Sequence, residues 1–350
     1  MSEEETAASP DKLAEMIMNY SRAQLIRAAV QLEVARRLAG GPRDSIDLTE
    51  ELGANHEALL RFMRACTAIE LVREVAPRRF ELGPLGQFLR PETPAGSALS
   101  TVALGAVGPG MYRIGEFFAD VVMTGQPAAK AAFGLDFYDY YEANPKEGKH
   151  FGDMMALMTH GCAEGLVEHY DFTKYAQITD IGGSHGMLLS RILRAAPDAR
   201  GAVYDLPEVL ANAKTFLADE GLSDRVTLIP GNFHKEIPAG ADLYTIKTVL
   251  CDWNDEHVAG ILRNIRAAMK PGAKLLIIDW MLPDEAGQAD DFLSVGLYLG
   301  SFNMLCQSGG KIRTADEWRA LLDGAGLAIA TTSSFPDPPT RWDLIEVVPK

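Results

Sequence analysis

The sequence predicts an α/β protein, with a helical amino-terminal half of winged-helix type followed by a doubly wound sheet of seven strands. Three observations carry this. Short apolar runs recur at 178–181, 202–204, 226–229, 243–246, 275–278, 327–330 and 344–348, with helical periodicity between most of them. Upstream, the apolar positions follow helical spacing almost throughout. Where the two patterns meet, 177–190 (QITDIGGSHGMLLS) reads as a strand ending in Asp180, a turn through Gly182, Gly183 and Gly186, and the start of a helix. The expected divisions are a disordered acidic lead over 1–10, a helical domain over 11–170 and the sheet domain over 171–350.

Taken in order, residues 11–39 carry Leu13, Met16, Ile17, Leu25, Ala28, Leu32 and Val34 at helical spacing, closed by Gly40, Gly41 and Pro42. Thr49 is the expected cap of a short helix over 50–52, and Asn55 opens another through Leu59, Phe62, Met63 and Cys66. Residues 72–75 and 80–82 read as a two-stranded wing. A wing beside a helix often marks DNA binding, but the candidate recognition helix carries only Arg61 and Arg64 in a chain of formal charge −15, so no nucleic-acid partner is expected. From 94 to 170 the pattern is helical with aromatic and methionine clusters. Phe151, Met154, Met155 and Met158 serve either interhelical packing or the wall around a flat substrate.

The four cysteines are far apart, which gives no zinc or disulfide pattern, and no metal site is expected. With an acidic start and no apolar run of about 18 residues, no membrane partner is expected and the expected location is cytoplasmic.

The turn after Asp180 narrows the ligand. A second strand stops at Asp205, 25 residues further on, where a doubly wound sheet offers a carboxylate to ribose hydroxyls. The glycines read D-x-G-G-x-x-G with no Lys-Ser/Thr after them, so neither a pyrophosphate nor a triphosphate has its usual cradle. S-adenosyl-L-methionine, a nucleoside cofactor without phosphate, fits this pattern best.

By these residues the chain resembles, over nearly all its length, the S-adenosylmethionine-dependent small-molecule O-methyltransferases, which include the plant caffeic acid type and bacterial polyketide- and antibiotic-tailoring enzymes. Six blocks in order carry the resemblance: DIGGSHG at 180–186, YDLPEV at 204–209, PGNF at 230–233, KTVLCDWNDE at 247–256, LLIIDWMLP at 275–283 and MLCQSGGKIRTADEW at 304–318. It implies a Rossmann-like methyltransferase domain, an N-terminal winged-helix dimerisation domain and a homodimer. It also implies that Gly182 and its neighbours pass beneath the methionine part of the cofactor, that Asp205 holds the ribose, and that Leu206 packs on adenine. Asn232 and Phe233 stand where the family has an acid and an apolar residue at the adenine, and Lys247 and Tyr170 match positions near the cofactor. Trp253, Phe302, Asn303 and Met304 are the implied acceptor residues.

The catalytic block departs from the family. Members read L-H-D-W, the histidine taking the proton of the acceptor hydroxyl, whereas this chain has Leu250-Cys251-Asp252-Trp253. An acid that orients that histidine is replaced by Ile312, while Asp279 matches the other. A thiol ionises near pH 8.5 and neighbouring Asp252 or Asp279 raises that further. The expected function is therefore methylation of a hydroxyl on an aromatic or polyketide-like metabolite, mainly by alignment, which is worth roughly 7 to 11 kcal/mol. The alternative is an enzyme that uses the cofactor without methyl transfer, as a hydroxylase, decarboxylase or pericyclase.

Overall fold

In the computed structural model, residues 9–283, 292–337 and 340–350 are described. The expected acidic lead lies outside the described residues up to position 8. Ser9 already caps helix α1 (Pro10–Gln31), its hydroxyl accepting from the Lys12 N–H, and Pro10 fills the first helical position, where a missing N–H costs nothing.

The single helix expected over 11–39 is broken. Glu33 takes a left-handed φ of 53°, and a separate α2 (Val34–Leu38) follows. Leu32 and Glu33 close the end of α1 by donating to the Ala28 and Val30 carbonyls, so the chain turns before it restarts. Next come β1 (Arg43–Asp44), α3 (Ser45–Leu52), α4 (His56–Thr67), β2 (Val72–Ala76) and β3 (Arg79–Leu82). Helix α3 begins at Asp44, whose carboxylate accepts from Ile46 N–H at 2.8 Å, and not at Thr49, whose hydroxyl donates to the Ser45 carbonyl inside the helix. Asn55 caps α4 by accepting from Ala58 N–H at 3.0 Å. Strands β2 and β3 form an antiparallel hairpin with β1 added to β3, and Leu48, Leu59, Met63, Cys66 and Phe80 fill the core beneath.

Helices α5 (Pro94–Ala106), α6 (Pro109–Tyr112), α7 (Phe118–Thr124), α8 (Ala129–Phe133), α9 (Phe137–Ala143) and α10 (Pro145–His169) follow. By contact the chain forms two compact units: residues up to Gly115 with Tyr138–Leu157, and Glu116–Phe137 with Met158–Lys350. The chain thus passes between units three times, the last time inside α10, where a single division at 170 is expected from the sequence. In the first unit a buried ion pair joins Arg27 to Glu147 at 2.8 and 2.9 Å.

The second unit holds β4 (Gln177–Ile181), α11 (Met187–Ala195), β5 (Arg200–Asp205), α12 (Pro207–Asp219), β6 (Val226–Pro230), β7 (Leu243–Lys247), α13 (Asp255–Ala268) and β8 (Lys274–Asp279). It continues with β9 (Met281–Leu282), α14 (Phe292–Ser308), β10 (Arg313–Thr314), α15 (Ala315–Gly324), β11 (Leu327–Asp337) and β12 (Thr340–Pro349). The seven-stranded sheet runs β11-β12-β8-β7-β4-β5-β6, all parallel except for β12, which is antiparallel to both neighbours. Strands β11 and β12 exceed the apolar runs at 327–330 and 344–348 because they pair as a long hairpin, from Leu327 opposite Pro349 to Asp337 opposite Thr340. Strand order reverses between β4 and β7, and such a switch point opens a crevice at the carboxyl ends of the strands. Separate apolar cores cover the two faces.

Candidate active site

The crevice is built first from the turn after β4. Gly182 sits at φ 67° and Gly186 at φ 82°, conformations that suit glycine. A Cβ on Gly182 would lie 2.6 Å from the Val249 side chain, and one on Gly183 would lie 2.7 Å from Asp180 Oδ2. Ser184 shares the left-handed conformation at φ 50° and donates its N–H to Asp205 Oδ2 at 2.9 Å. The other oxygen of Asp205 accepts from Leu206 N–H at 2.7 Å, so backbone donors fix the carboxylate at the end of β5. Leu206, next to it, is exposed. Asp180 is buried, its Oδ1 accepts from the Thr245 hydroxyl at 2.7 Å, and its Oδ2 has no protein partner. Burial pushes this carboxyl up to about 7.

At the end of β6, Gly231 approaches Tyr204 so closely that a Cβ would meet its ring at 2.3 Å. Asn232 Oδ1 accepts from His234 N–H at 2.9 Å, which leaves that carbonyl one free lone pair. Phe233 joins an aromatic group with His234, Trp253 and His257. At the end of β7, Lys247 Nζ donates to Thr248 Oγ1 at 2.8 Å and lies 5.1 Å from the ring centre of Trp342, which stacks on Trp280.

Tyr170 is a correction. Its hydroxyl donates to Glu346 at 2.6 Å and meets the Tyr175 hydroxyl at 2.7 Å. Tyr175 precedes β4, and Glu346 also receives Lys274, the first residue of β8. The ring therefore belongs to the amino ends of the strands, opposite to Gly182, and braces the sheet instead of facing the cofactor crevice.

Between β7 and α13 a tight turn over Leu250–Asp252 carries Cys251, which is 3 % exposed. Burial, then the charges of Asp279 and Asp252, push its thiol well above the usual range, so it stays protonated. Asp279, buried at the end of β8, accepts from Trp280 N–H at 2.9 Å, and burial pushes its carboxyl up to about 6. Asp252 is half-buried beside them. Ile312 is buried nearby in sequence to a residue that pattern reading gave no role: Arg313 is fully buried and donates from Nη2 to the Trp253 carbonyl at 2.7 Å. The one local signal is the capping box of Thr314 and Glu317, which shows that a helix starts immediately after it.

Of the remaining acceptor candidates, Phe302 meets Phe118 edge-on at 4.9 Å and lines a cavity of about 480 Å³ with Tyr298, Leu305 and Lys311. Asn303 and Met304 lie on the same helix, α14, both half-buried. Met158 packs against the core of the second unit. Phe151, Met154 and Met155 belong to the first unit, where Phe151 stacks on Tyr141 at 4.4 Å and Met154 closes against Gly105. His257 is exposed, with Nδ1 on Asn254 Oδ1 at 2.8 Å.

A switch-point crevice with a glycine cradle, a buried carboxylate with one unpartnered oxygen at its floor and a backbone-fixed acid at the next strand fits an adenosyl cofactor that bears a positive charge. The fold is of the Rossmann-like kind, and its crevice suits a nucleoside. The comparisons define it further: the O-methyltransferase domain matches residues 116–328, and the O-methyltransferase dimerisation domain matches residues 14–91. O-demethylpuromycin-O-methyltransferase of Streptomyces alboniger is 33% identical over 97% of this chain and 89% of that one. Aclacinomycin 10-hydroxylase RdmB of Streptomyces purpurascens is 30% identical over 98% of this chain and 91% of its own. An O-methyltransferase from neocarzinostatin biosynthesis, solved with S-adenosylmethionine and 2-hydroxy-5-methyl naphthoic acid, superposes with a TM-score of 0.78 at 28% identity, covering 94% of this chain and 96% of that one. The chain belongs to the S-adenosylmethionine-dependent O-methyltransferase family of secondary metabolism.

Proposed function

We propose that this enzyme methylates a hydroxyl of an aromatic or polyketide-like metabolite, with the acceptor aligned by the protein and no imidazole base. The observation that carries this reading is the buried, protonated Cys251 beside Asp279 in the turn where the family keeps its histidine. When bound, S-adenosylmethionine would supply an electrophilic methyl to the acceptor oxygen, its sulfonium sulfur being the leaving group. Gly182, Gly183 and Gly186 would make room for it, Asp180 would offset its positive charge, and Asp205 and Leu206 would hold its nucleoside, with Asn232, Phe233 and Lys247 nearby. Trp253, Phe302, Asn303 and Met304 orient the acceptor, joined by Met158 of the same unit. Above pH 6 Asp279 is ionised and favours departure of the acceptor's proton, while an acidic phenol needs little help. The working form is a homodimer through the domain at 14–91.

The test is incubation with S-adenosylmethionine and a panel of phenols and hydroxynaphthoates, following S-adenosylhomocysteine and product mass together. Acceptor-dependent homocysteine product with a gain of one methyl is expected. The similarity to a hydroxylase favours the second reading, use of the cofactor without methyl transfer. Acceptor turnover with intact cofactor would establish it in place of the first.

A further inference from the structure

Every carbonyl of the turn that carries Cys251 is received by one short segment, 308–313. Leu250 O accepts from Arg313 Nη1 at 3.0 Å, Cys251 O from Lys311 N–H at 2.7 Å, Asp252 O from Ser308 Oγ at 3.2 Å and Trp253 O from Arg313 Nη2 at 2.7 Å. The approach is tight, since a Cβ on Gly310 would lie 2.1 Å from the Cys251 carbonyl oxygen. Arg313 is fully buried, and two more of its donors are engaged: Nε reaches Asp255 Oδ1 at 2.9 Å, and Nη1 also reaches Lys311 O at 3.1 Å. The guanidinium lies 5.3 Å from the ring centre of Trp318. Only a planar fork reaches three carbonyls and a carboxylate at once; a lysine ammonium is a single point charge on a flexible stem.

We infer that Arg313 is a positioning residue for group transfer. It locks the 250–253 turn to the end of α14, and so fixes Cys251, Asp252 and Trp253 relative to Phe302, Asn303 and Met304. The catalytic consequence rests on the methyl-transfer reading above. Without an imidazole base the rate depends on alignment, and displacement by about 1 Å can cost on the order of a hundredfold. A turn held by its carbonyls keeps its backbone fixed.

The experiment uses the full-length chain, with Arg313→Lys and the milder Ser308→Ala. Iodoacetamide labelling of each cysteine is mapped by peptide mass, alongside S-adenosylhomocysteine affinity and methyl-transfer kinetics. In Arg313→Lys, labelling of Cys251 is expected to rise roughly tenfold, the effect of losing one charge-assisted hydrogen bond of about 1.4 kcal/mol. Cys66 and Cys162, buried elsewhere, keep the wild-type rate, homocysteine affinity stays within about twofold, and kcat falls at least tenfold with little change in KM. Ser308→Ala shows the same pattern at roughly threefold, and it decides the matter if the lysine variant is insoluble. Unchanged labelling at Cys251, an equal rise at all three cysteines, or a Cys251 rise with unchanged kcat would each overturn the proposal. If the wild type transfers no methyl to any acceptor, the functional reading fails, while the cysteine map still decides whether Arg313 holds the turn.

Discussion

Replacing Asp180 with Asn turns the buried acid at the floor of the crevice into a group of nearly the same shape that never ionises. The Thr245 hydroxyl keeps an oxygen to donate to, so the local contacts survive. In the wild type the carboxyl is pushed up from 3.8 to about 7 by burial. Because the folded value lies above the unfolded one, the native state holds the proton more tightly. The stability this provides is complete below pH 3.8 and is lost as pH rises through 7, at about 1.36 kcal/mol per unit. The whole loss is about 4 kcal/mol, of which about 2 kcal/mol falls between pH 5.5 and 8. Asp279, pushed up to about 6, acts in the same direction but is present in both proteins and cancels in the comparison. Without cofactor, Asp180→Asn should therefore gain on the wild type by roughly 3 °C in Tm when pH goes from 5.5 to 8. Thermal denaturation at the two pH values measures it. A Tm difference independent of pH would refute the reasoning, because an Asp180 that stays ionised at no cost is not the orphaned buried acid described.

Other outcomes follow from the same geometry. Cys251→Ala should keep kcat within about threefold, since a thiol held protonated is not the base; a loss of roughly 10²- to 10⁴-fold in the methyl-transfer assay would make it one. Tyr170→Phe should cost about 1.5 to 3 kcal/mol in denaturant unfolding, by leaving Glu346 a donor short, while homocysteine affinity is unchanged. A tenfold weaker affinity would return Tyr170 to the cofactor. Gly182→Ala forces a Cβ into Val249 and strains a φ of 67°, so calorimetry should show at least tenfold weaker cofactor binding with unaltered circular dichroism. Full affinity would place the cofactor away from this turn.

Much of this was legible in the sequence because it rests on short-range rules. Strand and helix periods, the cap at Asn55, the glycine turn and the acid ending β5 depend on neighbours within a few positions, and each stands where its pattern predicts. Local rules also misled where two residues compete for one role. Asp44 takes the cap that Thr49 offered, and Glu33 breaks a helix whose apolar spacing continues through it.

What only the tertiary structure decided depends on partners far away in the chain. Tyr170 bonds a residue 176 positions on, which moves it from the cofactor to the opposite end of the sheet. Arg313 meets Leu250 across 63 positions, and no periodicity records that. Asp180 and Asp279 are ordinary acids in the sequence; the strands closing over them remove water, and that desolvation is what raises their protons' affinity. The sequence by itself determined the fold class, the glycine turn after β4 and the absence of the histidine. The structure decided which groups are buried, charged and clamped, because burial and long-range hydrogen bonds exist only once the chain has closed on itself.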